Sequence, residues 1–111
     1  MQEEGCGYVS ERGSPGVAYM LLDGKLARID VFGRSRVRAF AGGGIGTSKA
    51  ELQKLYGAIK VEPHFYDDTG FYLTLLSKDG RYGIRFEIED GHVSSYYAGL
   101  AEAIQYVEGC E

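Results

Sequence analysis

Two cysteines stand almost at the ends of a 111-residue chain, Cys6 and Cys110. Bridged, they fasten head to tail and require residues 5–7 and 109–111 to meet, with Cα atoms roughly 4.4–6.8 Å apart. Unbridged, each is a small apolar side chain, buried or frayed. Both lie in polar, glycine-rich terminal stretches rather than apolar runs, so the disulfide is the expectation. Closing so long a loop is worth roughly 4–5 kcal/mol in the chain-entropy model. A bridge also implies an oxidising compartment: periplasm, cell surface or extracellular fluid.

Other residues carry weaker chemical signals. Glu62, His64, Asp67 and Asp68 offer carboxylates and one imidazole to a divalent cation. A zinc site usually has more than one imidazole or thiolate, and Asp67-Asp68-Thr69-Gly70 is too short for a calcium loop. A solvated turn beside a histidine is the simpler reading, and no metal or cofactor is expected. His92 precedes Ser94 and Ser95, but neither serine sits in a G-x-S-x-G elbow. Base, nucleophile and oxyanion donor are not assembled, so catalysis is not expected. A small hydrolase or metal-dependent enzyme using His64 or His92 is the alternative. The run Gly42-Gly43-Gly44-Ile45-Gly46 before a helix invites a phosphate. The order Gly46-Thr47-Ser48-Lys49 is not that of a P-loop, and a glycine-rich lead into the helix suffices.

A binding surface is the stronger expectation. Alternation points Phe71, Leu73, Ile84, Phe86 and Ile88 toward a core. Tyr72, Thr74, Arg85 and Glu87, with Ser94 and Tyr96, then point the other way. Tyrosine beside arginine is what interfaces use as anchors. Tyr72, Thr74, Arg85, Glu87 and Tyr96 are therefore the expected partner-binding residues, on a sheet face left open. An ordinary solvated face, where Tyr and Thr are common, is the competing reading.

These side chains need elements to hold them. Residues 1–16 read as an irregular lead-in, rich in Gly with Ser14 and Pro15. Residues 17–22 and 25–32 form a hairpin about Asp23-Gly24, and residues 36–40 a third strand. Ser48 with Glu51 three residues on is a capping box. Leu52, Leu55, Tyr56 and Ile59 make the apolar stripe of one short helix, which Gly57 ends. Residues 60–66 are extended, with Pro63 at an edge or bulge. Residues 71–76, 82–89 and 92–98 form a meander that turns at Asp79-Gly80 and Asp90-Gly91. Residues 100–107 suit a helical face or a short strand; a strand or turn ending at the bridge is preferred.

The whole is one α+β domain, residues 1–111: an antiparallel sheet of about six strands with one short helix on one face. A charge of −4 argues against nucleic acid and anionic membranes as partners. No apolar stretch approaches the roughly 20 residues of a membrane span. Residues 1–5 are polar and acidic, neither a signal peptide nor a lipobox, so the expectation is the mature form of a periplasmic or secreted protein.

Gly46-Thr47-Ser48-Lys49-Ala50-Glu51-Leu52, followed by Leu55-Tyr56-Gly57, resembles the motif G-x-[ST]-x-x-[EQ]-[VL]-x-x-x-G. That motif opens the domain of the BamE/SmpA outer-membrane lipoproteins and the β-lactamase inhibitor proteins. Gly70-Phe71-Tyr72-Leu73, Gly83-Ile84-Arg85-Phe86 and Glu89-Asp90-Gly91-His92-Val93 are similar to the family's meander. The resemblance covers about residues 42–99. It implies a helix on one face of an antiparallel sheet, export, and protein binding or enzyme inhibition rather than catalysis. The family usually has two short helices before its meander, whereas one is evident here. The expected function is thus a non-catalytic, exported bacterial domain that binds another protein, as an inhibitor or envelope assembly factor. A structural accessory domain is the remaining alternative.

Overall fold

The computed structural model describes residues 5–110. Seven strands form one sheet: β1 (Cys6–Val9), β2 (Val17–Leu22), β3 (Lys25–Phe32), β4 (Lys60–Pro63), β5 (Phe71–Leu76), β6 (Tyr82–Glu89) and β7 (His92–Leu100). Their spatial order is β1-β2-β3-β7-β6-β5-β4, and every neighbouring pair is antiparallel. The chain meanders through β1–β3, crosses to the far edge, and meanders back through β4–β7. The last strand then pairs with β3 and joins the two halves.

The sheet is larger than the six strands expected. The lead-in holds a strand, β1, paired residue for residue with β2 from Cys6↔Leu22 to Val9↔Tyr19. Gly5 and Gly7 interrupt the apolar alternation that would have announced it. Conversely, residues 36–40 are not a strand. They make only an isolated bridge, Arg38↔Gly44, and lead into a 3-10 turn at Phe40–Gly42. Two hairpin turns follow the sequence signal closely. Asp23 and Gly24 (φ 51° and 79°) and Asp90 and Gly91 (φ 52° and 78°) both take left-handed backbone, as the mirror-image turn demands.

The helix α1 (Lys49–Tyr56) starts and stops where the sequence places it. Ser48 Oγ accepts from the Glu51 N–H at 3.1 Å, and the Gly57 N–H closes onto Gln53 O. Leu52 is fully buried and Tyr56 half-buried, but Leu55 is exposed. The helix leans on Val31, Leu73, Phe86, Ile88, Val93 and Tyr96 of the sheet. Its start is tied to the β6–β7 turn, because Lys49 N–H donates to Gly91 O and Gly46 N–H to Val93 O.

The opposite face is not bare. Tyr72 (2% exposed), Thr74 (7%) and Arg85 (4%) are buried there. After β7 the chain folds back as a strap, residues 101–110, with a 3-10 turn at Ala103–Gln105. The residues in question are therefore turn structure, in keeping with the preferred reading. Ala103 and Ile104 are buried against the sheet. Gly83 makes this seat possible: a Cβ there would meet Ile104 Cδ1 at 2.7 Å. The Cys6–Cys110 disulfide, with Cα atoms 5.5 Å apart, fastens the strap to β1. Met20, Ala27, Ala103 and both cysteines form a small second core beneath it.

Candidate functional site

The expected binding residues divide between the two faces. Tyr72, Thr74, Arg85 and Glu87 lie together on the strap side, in register: Thr74 pairs with Arg85 and Tyr72 with Glu87. Tyr96 does not join them. It pairs with Phe86 in the helix-side core and donates its hydroxyl proton to Val37 O at 2.7 Å. The cause is a bulge: Ile88 pairs with Val93, while Glu87 pairs with Ser95, so β7 carries one extra residue. Parity slips there, and Tyr97 takes the strap-side position opposite Arg85. Ser94, at the bulge, donates to Glu89 Oε2 at 2.6 Å.

On the strap side these residues form a mostly buried polar layer, with one cleft of about 280 Å³ beside Arg28, Asp30 and Tyr97 and another of about 340 Å³ beside Thr74, Arg85 and Gln105. Arg28 is buried, with all five guanidinium donors engaged. Nε and one terminal nitrogen grip Asp30 at 2.7 and 2.8 Å. That nitrogen also meets the Tyr8 hydroxyl, and the other donates to Ala103 O and Tyr106 O on the strap at 2.9 and 2.8 Å. The guanidinium lies 4.0 Å from the Tyr97 ring centre. Tyr97 donates to Glu87 at 2.8 Å, and Glu87 also meets His64 Nε2 at 3.0 Å. Arg85 donates to Thr74 Oγ1 and to Gln105 on the strap, at 2.9 and 3.0 Å. Burial, then the neighbouring Glu87 carboxylate, pushes the Tyr97 hydroxyl pKa far up. Burial and the charge of Asp30 push Tyr8 up to about 12.

His64, Asp67 and His92 are engaged by protein groups. His64 Nδ1 accepts the backbone N–H groups of Tyr66 and Asp67 at 3.1 and 3.2 Å. This leaves Nε2–H as the donor to Glu87, which assigns the neutral tautomer. Asp67 caps its own turn through Thr69. Among the described residues no hydrogen bond joins His64 or His92 to a serine; His92 Nδ1 faces Asp90 O. The glycine loop is likewise committed. The amides of Gly42, Gly43, Gly44 and Gly46 reach Ala39 O, Tyr56 Oη, Thr47 Oγ1 and Val93 O.

The uncovered apolar surface lies on the helix side. Seven strands span roughly 29 Å at about 4.8 Å spacing, whereas an eight-residue helix is about 12 Å long and 10 Å wide. Between residues 37–40 and the β5–β6 hairpin runs an apolar groove of about 370 Å³. Ile29, Val31, Ile84, Ala98 and Tyr96 line it from the sheet. Val37 and Phe40 wall one side, and Leu76 and Tyr82 of the β5–β6 hairpin wall the other. Phe40 is 66% exposed, and Val37, Leu76 and Tyr82 are also exposed. Sequence reasoning missed this site because it expected a strand at 36–40; the exposed Val37 and Phe40 are the signal it had. The groove's volume and lining suit an apolar group with a few oriented polar contacts.

Compared with protein-family models, with curated proteins and with solved structures, this chain matches none.

Proposed function

We propose that this chain is a non-catalytic domain of an exported bacterial protein that binds another protein through the uncovered part of its sheet, as an inhibitor or envelope assembly factor. The observation that carries the reading is the groove between residues 37–40 and the β5–β6 hairpin. It presents contiguous apolar and aromatic side chains to solvent on a rigid sheet floor. The binding face is thus the helix side, not the face of Tyr72 and Arg85, which the strap occupies. The disulfide supports an oxidising compartment. The resemblance of residues 42–99 to envelope scaffolds and inhibitors points the same way.

Photo-crosslinking in the native envelope tests the reading. A crosslinking side chain at Phe40 or Tyr82 should trap one defined polypeptide, and the same group at Glu102 on the strap should not. Equal labelling from both positions, or none from the groove, would sink it.

A further inference from the structure

The groove has a charge pattern that narrows its partner. Between Asp30 and Glu51 the chain has no acidic residue, yet it carries Arg34, Arg36, Arg38 and Lys49 in a molecule of net charge −4. The three arginines are exposed and make no ion pair among the described residues. Arg38 lines the groove itself. Arg36 lines an adjoining cleft of about 330 Å³ that shares Val37 and Arg38 with it. The other wall ends in a turn bearing Lys78 and Arg81, where Asp79 is spent on Ser77 Oγ and the Arg81 N–H. Among the described residues no Asp or Glu lines the groove.

We infer that the groove receives an acidic amphipathic segment of the partner protein, apolar side chains on the sheet floor and carboxylates toward Arg36 and Arg38. This rests on the protein-binding reading above and names the partner's chemistry. Several separate cations along an open rim call for several anions, which a peptide carries and a single fatty acid does not. The open strip between residues 37–40 and the β5–β6 hairpin, on the helix side of the sheet, suits the apolar face of one helix. The rim charges steer association and select the partner more than they add affinity.

Selection of a random displayed peptide library against the intact, disulfide-bonded chain tests this. Enriched peptides should combine apolar residues at helical spacing with Asp or Glu. They should bind roughly tenfold more weakly to Arg36→Gln/Arg38→Gln, with a flatter salt dependence. They should also lose binding to Val37→Asn/Phe40→Asn, whose exposed positions leave the fold intact as judged by an unchanged melt. Peptides that need Val37 and Phe40 but show no acidic bias overturn the inference and leave the groove reading standing. Peptides indifferent to Val37 and Phe40, or no enrichment at all, overturn both. Dodecanoate saturating the groove where peptides fail assigns it to a lipid-like ligand instead and rejects the inference.

Discussion

On the helix face the sheet buries Val31, Leu73, Phe86, Ile88 and Tyr96 beneath one short helix and leaves a groove open beside it. On the other face it buries Arg28 and Arg85 beneath a strap with almost no regular structure, and the clefts beside them are lined in large part by polar groups. The contrast follows from what each face must satisfy. Apolar surface can be covered in part, because the cost of the rest grows smoothly, at about 25 cal/mol per Å². A buried guanidinium has no such latitude. Each unmatched donor costs on the order of 1–3 kcal/mol or more, so its acceptors must sit at fixed points. The strap supplies them as Ala103 O, Tyr106 O and Gln105 Oε1. On the polar face the strap's position is set by the arginines it must satisfy, and the apolar face is left with apolar surface to offer.

The largest test of that contrast is the clasp. Cys6→Ser/Cys110→Ser removes a crosslink spanning 104 residues and should cost about 4–5 kcal/mol in urea unfolding. Hydrogen exchange should quicken first in residues 103–109, with α1 unchanged relative to global unfolding. Fast exchange beginning in α1 instead would mean the strap holds without its bond. Next comes Arg28→Ala, expected to cost about 3–5 kcal/mol, since it takes the cationic partner from Asp30, leaving it the Tyr8 hydroxyl, and strands two strap carbonyls. A loss below about 1 kcal/mol would show that the polar layer is not what seats the strap.

Alkaline titration sharpens the comparison with a smaller effect. The folded chain holds the Tyr8 proton more tightly than the unfolded chain, where it leaves near pH 10. Its contribution is complete below pH 10 and is lost as pH rises toward 12. Stability should therefore fall across that window, and less so in Tyr8→Phe, by denaturant melts at stepped pH. The smallest effect belongs to the groove. Phe40→Ser, at an exposed position, should move stability by no more than about 0.5 kcal/mol. A loss above 1 kcal/mol would make Phe40 part of the core rather than a surface for a partner.

Much of this is legible in the chain itself. Ser48, Glu51 and Gly57 bound α1, because capping is settled within a few residues. Asp23-Gly24 and Asp90-Gly91 set their hairpins, because a left-handed turn selects those residues. The cysteines at the two ends announced their bridge. The facing and burial of the expected binding residues were only partly legible, for two physical reasons. A one-residue bulge in β7 exchanged Tyr96 for Tyr97, and nothing in Val93-Ser94-Ser95-Tyr96 marks it. Arg28 and Arg85 look like surface residues by type, and only a distant strap makes them interior.

The sequence by itself determined the local matters: where the helix begins and ends, where the hairpins turn, and which residues alternate along each strand. Tertiary structure alone decided which face is closed. Closure depends on contacts between residues far apart in the chain, such as Arg28 with Tyr106 and Gly83 with Ile104, and local chemistry carries no record of them.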